Sequence, residues 1–288
     1  MAERSEAGRA PLVVVTGATR GLGRLVAEGA ARVGARVVLA CRDPSRGEEA
    51  RAAVAAVATG PAPELLVVDL ASLSSVRWAA AEAQRRFPRI DVLINNAGTF
   101  ARRQELTADG FELSFATNHL GPFLLTRLLM PAMAPGGRIV NLSSDVYGWG
   151  KATPERPRRG GVWAGFMNYA ASKRAVLQAS LALAARESLR GKEAVRVNAI
   201  HPGVIRTEIM RIRTWYGFLV DLILAPFWSS AEAGVAAILD LALGARHADS
   251  SGGYYRVGRL VSPKRRVADP RKVEELWRQS SRLVGMEA

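Results

Sequence analysis

The chain has 288 residues, is 49% hydrophobic and carries a formal net charge of +14, from 40 Lys/Arg against 26 Asp/Glu. Half-apolar composition supports a sizeable core and excludes a disordered chain, and the length suits one large α/β domain or two small ones. The single cysteine, Cys41, excludes an intrachain disulfide and fits a reducing, cytoplasmic setting.

In chain order, short β-branched runs alternate with longer Ala-rich stretches. The N-terminus is charged (Glu3, Arg4, Glu6, Arg9), and its early apolar run, 12–15, is shorter than the roughly 7–15 residues of a secretory signal. Strands are expected at Leu12–Thr16, Arg36–Ala40, Leu65–Val68, Val92–Ile94, Arg138–Leu142 and Val195–Ile200. They are apolar without clean alternation, as strands covered on both faces are. Helices are expected at Gly21–Val33, Arg46–Ala58, Leu73–Arg86, Asp109–Met133 and Asn168–Leu189. Such alternation implies right-handed βαβ crossovers, hence a doubly wound parallel sheet with helices on both faces.

Two stretches break the pattern. Gly148–Gly165 is rich in Gly, Pro and Arg and reads as a loop, and Gly203–Ser229 is apolar and aromatic without a strong helical period. A helix over Ser230–Gly244, a seventh strand at Gly253–Val257 and a closing helix over Pro270–Val284 follow. With no linker between halves, residues 1–288 form one domain: a core over 10–202, a segment at 203–229 and a tail at 256–288. The most apolar window, Trp215–Trp228, is interrupted by Asp221 and Pro226 and is shorter than the about 20 residues of a spanning helix.

The basic balance raises the prospect of an anionic partner. The charge is Arg spread along the chain, densest in the tail from Arg256. With no interleaved aromatic–basic motif, no zinc spacing and no helix-turn-helix signal, nucleic acid is not expected as a partner. His119 and His201 adjoin motifs, but three histidines without ligand spacing give no metal site.

Thr16-Gly17-Ala18-Thr19-Arg20-Gly21-Leu22-Gly23 follows the first strand and opens the first helix. Glycines there let the backbone approach a ligand, and the helix N-terminus offers N–H groups to a pyrophosphate. The spacing is Gly-x3-Gly-x-Gly, not the common Gly-x-Gly-x2-Gly. With Asn95-Asn96-Ala97-Gly98, Asn118, Ser144, Tyr169-x3-Lys173, Pro202-Gly203 and Thr207, the chain resembles the short-chain dehydrogenase/reductase family. Val68-Asp69-Leu70-Ala71-Ser72-Leu73, 106–111 and Thr117-Asn118-His119-Leu120-Gly121 resemble its retinol-dehydrogenase-like and WW-domain-oxidoreductase-like branch. The 25 residues from Ser144 to Tyr169 exceed the family's usual spacing, and the excess falls in the Gly/Pro/Arg loop.

The resemblance implies a Rossmann-type sheet of about seven strands and an enzyme interconverting a carbonyl and an alcohol. It places Asn118, Ser144, Tyr169 and Lys173 in catalysis. It assigns cofactor contacts to Gly17, Thr19, Arg20, Gly21, Leu22, Gly23, Arg42, Asp69, Leu70, Asn95, Ala97, Gly98, Tyr169, Lys173, Pro202, Gly203, Val204 and Thr207.

The chemistry of these residues agrees with that assignment. Tyr169 and Lys173 lie four apart on one helix face. A neighbouring ammonium is expected to lower the phenol pKa, and Ser144 to hydrogen-bond the substrate oxygen, with Ser143 as the competing serine. Cys41 stands where NAD-preferring relatives carry Asp, and Arg42 with Arg20 suits a 2′-phosphate, so NADP(H) is the expected cofactor. Asp43 is a competing adenosine contact, and turn capping a competing role for Asp69.

The aromatic 215–228 stretch is expected to cover an apolar, bulky ketone, aldehyde or alcohol; core packing, a dimer contact and a membrane-surface patch compete for it. A homo-oligomer is expected. A catalytically idle NADP(H)-binding sensor is the alternative function, and the intact Asn/Ser/Tyr/Lys set speaks against it. An extended-form sugar epimerase or dehydratase lacks support in the glycine spacing.

Overall fold

The structure, a computed structural model, describes residues 9–103, 105–151, 159–203 and 230–288. The elements in chain order are β1 (Leu12–Thr16), α1 (Gly21–Arg32), β2 (Arg36–Cys41), α2 (Pro44–Ala55), β3 (Glu64–Val67), α3 (Leu73–Arg86) and β4 (Ile90–Asn95). Then come α4 (Leu113–Phe115), a π-helical turn (Ala116–Leu120), α5 (Gly121–Leu129), β5 (Met133–Leu142), α6 (Val162–Glu187) and β6 (Arg196–His201). After the 204–229 interval follow α7 (Ala231–Leu243), β7 (Tyr254–Arg256), β8 (Arg259–Leu260) and α8 (Pro270–Leu283).

The strands form one sheet in the order β3-β2-β1-β4-β5-β6-β7-β8, parallel except for the β7–β8 pair. Alternate residues of β1 explain its unbroken apolar run. Leu12 and Val14 pack on the face covered by α3, α5, α6 and α8, while Val13 and Val15 pack on the face covered by α1, α2 and α7. The strand order reverses between β1 and β4, and this switch point is where open α/β sheets receive ligands.

Several boundaries differ from the sequence expectation. The described residues give eight strands, not about seven, because Val257 and Gly258, both with positive φ, turn β7 back into the short antiparallel β8. Only the glycine of that turn carries a hairpin signal. Helix α6 starts at Val162, six residues before the expected Asn168. Gly165 makes this possible, since a Cβ there would meet the Ala101 carbonyl oxygen at 2.3 Å. The expected helix from Asp109 begins at Leu113, capped by the Glu112 carboxylate accepting from Phe115 N at 2.7 Å. The next turn widens to a π-helix, a form that clusters at functional sites.

Candidate active site

The glycine turn sits where β1 ends in register with β2, Thr16 opposite Ala40. Its three glycines answer to three different constraints. Gly17 has φ +67° and a Cβ there would lie 2.8 Å from Ala97 Cα. Gly21 has φ +54° with nothing within 4 Å on its Cβ side. Gly23 is clamped, because a Cβ would sit 2.3 Å from both the Gly17 carbonyl oxygen and Asn96 Nδ2. Asn96 braces this turn from just beyond β4, donating to Thr16 O at 2.8 Å and Gly17 O at 3.3 Å. Thr16 Oγ1 in turn accepts from Asn96 N and Ala97 N, both at 3.0 Å. Sequence reasoning did not single out Thr16 or Asn96 for this work, although both lie inside the motifs it used.

Asn95 turns its side chain the other way. Its Nδ2 donates to Thr126 Oγ1 at 2.9 Å and Asn141 Oδ1 at 2.8 Å. Helix α1 has no side-chain cap and no acidic residue in its first turn, whereas Asp43, Ser72 and Asp269 cap α2, α3 and α8. An uncapped helix start beside an open glycine fits the pyrophosphate of a dinucleotide.

At the neighbouring strand ends, Arg20 and Arg42 are exposed. Asp43 is occupied as the α2 cap, accepting from Ser45 N at 3.0 Å and Arg46 N at 3.1 Å, and its other oxygen lies 3.6 Å from Arg46 Nε. Arg46, one turn along from Arg42, is a third basic group here that sequence reasoning passed over. Asp69 Oδ1 accepts from Ala71 N at 2.9 Å, which shapes the β3 exit ahead of buried Leu70.

The catalytic candidates converge beyond the β4 and β5 ends. Lys173 is buried, its Nζ donating to Leu142 O at 2.8 Å and lying 5.7 Å from the Tyr169 ring centroid. A Cβ on Gly98 would be 3.5 Å from both Lys173 Nζ and Asn118 Oδ1. Asn118, on the π-helical turn, accepts from Thr99 N at 2.6 Å and donates to Thr99 O and Ser172 Oγ, each at 2.9 Å. Behind it lies a cavity of about 30 Å³ bordered by Asn95, Asn118, Thr126, Asn141 and Ser180, large enough for a water molecule.

The two serines divide their tasks. Ser143 Oγ donates to Lys173 O at 2.9 Å, tying β5 to α6, while the Ser144 side chain hydrogen-bonds Tyr169. The Phe100 ring stands edge-on to Tyr169 at 5.7 Å. His119, buried and pushed down to about 3 by loss of solvent, contacts Ser280 Oγ at 2.8 Å. Val204, Thr207 and the whole 215–228 stretch lie outside the described residues; Pro202 and Gly203 close the described part of this chain segment.

Electrostatics correct one expectation. Burial pushes the Tyr169 phenol up to about 12, opposed by the Ser144 hydrogen bond, so it is not depressed by its lysine neighbour. Burial also lowers Lys173 to about 8. The phenol therefore keeps its proton at neutral pH, which suits a general acid, and a partly desolvated ammonium stands ready to stabilise the phenolate left after proton transfer.

Residues 11–216 match the model of the short chain dehydrogenase family. A protein of Streptomyces sp. (strain C5), provisionally named daunorubicin C-13 ketoreductase DnrU, is 38% identical over 95% of this chain and 92% of its own. Human retinol dehydrogenase 13 is also 38% identical, over 96% of this chain and 85% of its own. A solved blue fluorescent protein from a metagenomic library, in complex with NADPH, is 28% identical with a TM-score of 0.68, covering 86% of this chain and 96% of that one. With the glycine turn, the Asn118/Ser144/Tyr169/Lys173 cluster and these matches together, the chain belongs to the short-chain dehydrogenase/reductase family of oxidoreductases, in its retinol-dehydrogenase-like branch.

Proposed function

We propose that the protein is an NADP(H)-dependent oxidoreductase that reduces the carbonyl of a bulky apolar substrate to an alcohol. The observation that carries this reading is Tyr169: a protonated phenol, hydrogen-bonded to Ser144, beside the Lys173 ammonium and facing the site from α6. NADPH, when bound, supplies the hydride. Tyr169 gives its proton to the carbonyl oxygen, Ser144 orients that oxygen, and Lys173 stabilises the resulting phenolate. Oxidation of an alcohol is the same sequence reversed.

Choice of NADP(H) over NAD(H) is supported by Arg20, Arg42 and Arg46, and by Asp43 being engaged as a helix cap. A guanidinium cluster favours the 2′-phosphate, and the Asp43 carboxylate beside it is turned to the α2 N–H groups and Arg46. Binding of NADPH by a structural neighbour points the same way. An apolar substrate is supported by the Phe100 wall on Tyr169, by Trp163 stacked on Phe166 at 5.5 Å, and by the aromatic composition of 215–228. No helix among the described residues is long and apolar enough to cross a membrane.

A screen of ketones and aldehydes of increasing size with NADPH or NADH, followed at the nicotinamide absorbance, tests the assignment. Tyr169→Phe is the control: turnover falls by about 10²-fold or more while NADPH still binds. Undiminished turnover in that variant, or preference for NADH, contradicts the proposal.

A further inference from the structure

The chain leaves the sheet at the residue that matters most for placing the catalytic serine. Ser143 N makes a last ladder hydrogen bond to Ile200 O at 2.8 Å, and Ser144 then begins a 3-10 turn over Asp145–Gly148 in extended conformation (φ −159°). Ser144 caps nothing with its hydroxyl, which meets the Tyr169 phenol. Its position therefore depends on what anchors the turn that follows.

That anchor comes from distant parts of the chain. The Asp145 carboxylate accepts from the Tyr254 hydroxyl at 2.9 Å and pairs with Arg256 Nε at 2.8 Å, both on β7, and lies 3.7 Å from His201 Nε2 at the end of β6. Tyr147 packs edge-on against Tyr254 at 5.2 Å, and its hydroxyl accepts from Lys264 N at 3.1 Å. Burial and the adjacent carboxylate push the Tyr254 phenol far up, so it stays a donor at every working pH. His201 is pushed down by burial, with Arg256 and Lys173 adding to the effect and Asp145 opposing it. Near neutral pH, Arg256 thus supplies the positive partner of Asp145.

We infer that Asp145, held by Tyr254 and Arg256, is a positioning residue that keeps the Ser144 hydroxyl on Tyr169, coupling the C-terminal β7–β8 hairpin to the reacting end of the site. This rests on the oxidoreductase reading given above. The titratable and charged groups facing the Ser144–Tyr169 pair and its anchor are Lys173 from α6, His201 from β6, and Tyr254 and Arg256 from β7. Displacement of a reacting group by about 1 Å can cost about 10²-fold in rate. Asp145→Ala removes both ties, and Asp145→Asn removes the ion pair while keeping an oxygen for Tyr254.

The test uses the full chain. For Asp145→Ala, kcat per NADPH-binding site is expected to fall about 10-fold or more with the NADPH Kd nearly unchanged, and Asp145→Asn to lie between it and wild type. Alcohol oxidation, which needs the phenolate, should begin at higher pH, because the Ser144 hydrogen bond that lowers the Tyr169 pKa is lost. Loss of a nearby negative charge alone would move that onset to lower pH, and a mere loss of stability would not move it. A crystal structure of Asp145→Ala should show Ser144 Oγ out of hydrogen-bonding reach of Tyr169.

Wild-type kcat, a downward shift of the onset, or Ser144 still bonded to Tyr169 in that crystal structure overturns the inference. Should Asp145→Ala not fold, Tyr254→Phe and Arg256→Met each remove one tie, and wild-type kcat in both overturns it equally. If the wild type reduces no carbonyl with either nicotinamide cofactor, the oxidoreductase reading fails, while the position of Ser144 in the variant structure still decides the role of Asp145.

Discussion

Replacing Lys173 by Met should remove activity and, at neutral pH, cost little or no stability. Burial takes the Lys173 ammonium from an ordinary pKa of 10.5 to about 8. That difference corresponds to roughly 3 kcal/mol against the charged form in the folded state. The folded pKa lies below the unfolded one, so at pH 7 both states hold the proton and the penalty is fully present. Between about 8 and 10.5 the unfolded chain holds more protons than the folded one, and wild-type stability rises with pH through that window. Met carries no such group.

Against this relief stands the loss of the 2.8 Å hydrogen bond to Leu142 O, worth roughly 1.5–3 kcal/mol for a charged donor. The two effects nearly cancel at pH 7. The decisive quantity is their pH dependence: the stability of Lys173→Met relative to wild type should fall by roughly 2–3 kcal/mol between pH 7 and pH 10. Urea unfolding of both proteins at the two pH values measures it, and the other titrating groups cancel in the difference. A relative stability that does not change with pH would refute the argument that a desolvated ammonium sits at this position.

Three further outcomes follow from the site. Arg42→Asp should weaken NADPH binding and shift preference toward NADH, by removing a phosphate partner and adding a like charge; unchanged kinetics with NADPH would sink the 2′-phosphate assignment. Gly23→Ala sets the better helix propensity of Ala, about 1 kcal/mol, against a Cβ placed 2.3 Å from the Gly17 carbonyl and Asn96 Nδ2. The clash should win, lowering both Tm and NADPH affinity, and a more stable variant with intact binding would contradict the geometry. Trp215→Ala and Phe218→Ala should raise KM for a bulky ketone and leave the NADPH constant alone; normal KM with lost binding to anionic liposomes would show that this stretch meets a membrane surface instead.

Much of this molecule could be read along the chain. Strands such as β1 and β2 announce themselves because both faces are covered, and burial on two sides demands continuous Val and Leu. The glycine turn was legible because positive φ and close approach exclude nearly every other residue at Gly17. Tyr169 and Lys173 could be paired from spacing, since a helix brings residues four apart onto one face.

Tertiary structure decided what depends on contacts between distant segments. The phenol pKa rises rather than falls because burial, set by packing from Phe100 and neighbouring elements, outweighs the Ser144 hydrogen bond. Asp43 caps α2, a role set by the α2 N–H groups that lie over one of its oxygens. Asn96 emerged as the brace of the glycine turn, and Asn95 as a link to α5 and β5, only when β1 and β4 were side by side. Asp145 stands more than 100 positions from Tyr254 and Arg256, and the sequence carries no signal that links them. They meet because β5, β6 and β7 are neighbours in the sheet, and only that adjacency brings a carboxylate, a phenol and a guanidinium to one point beside Ser144.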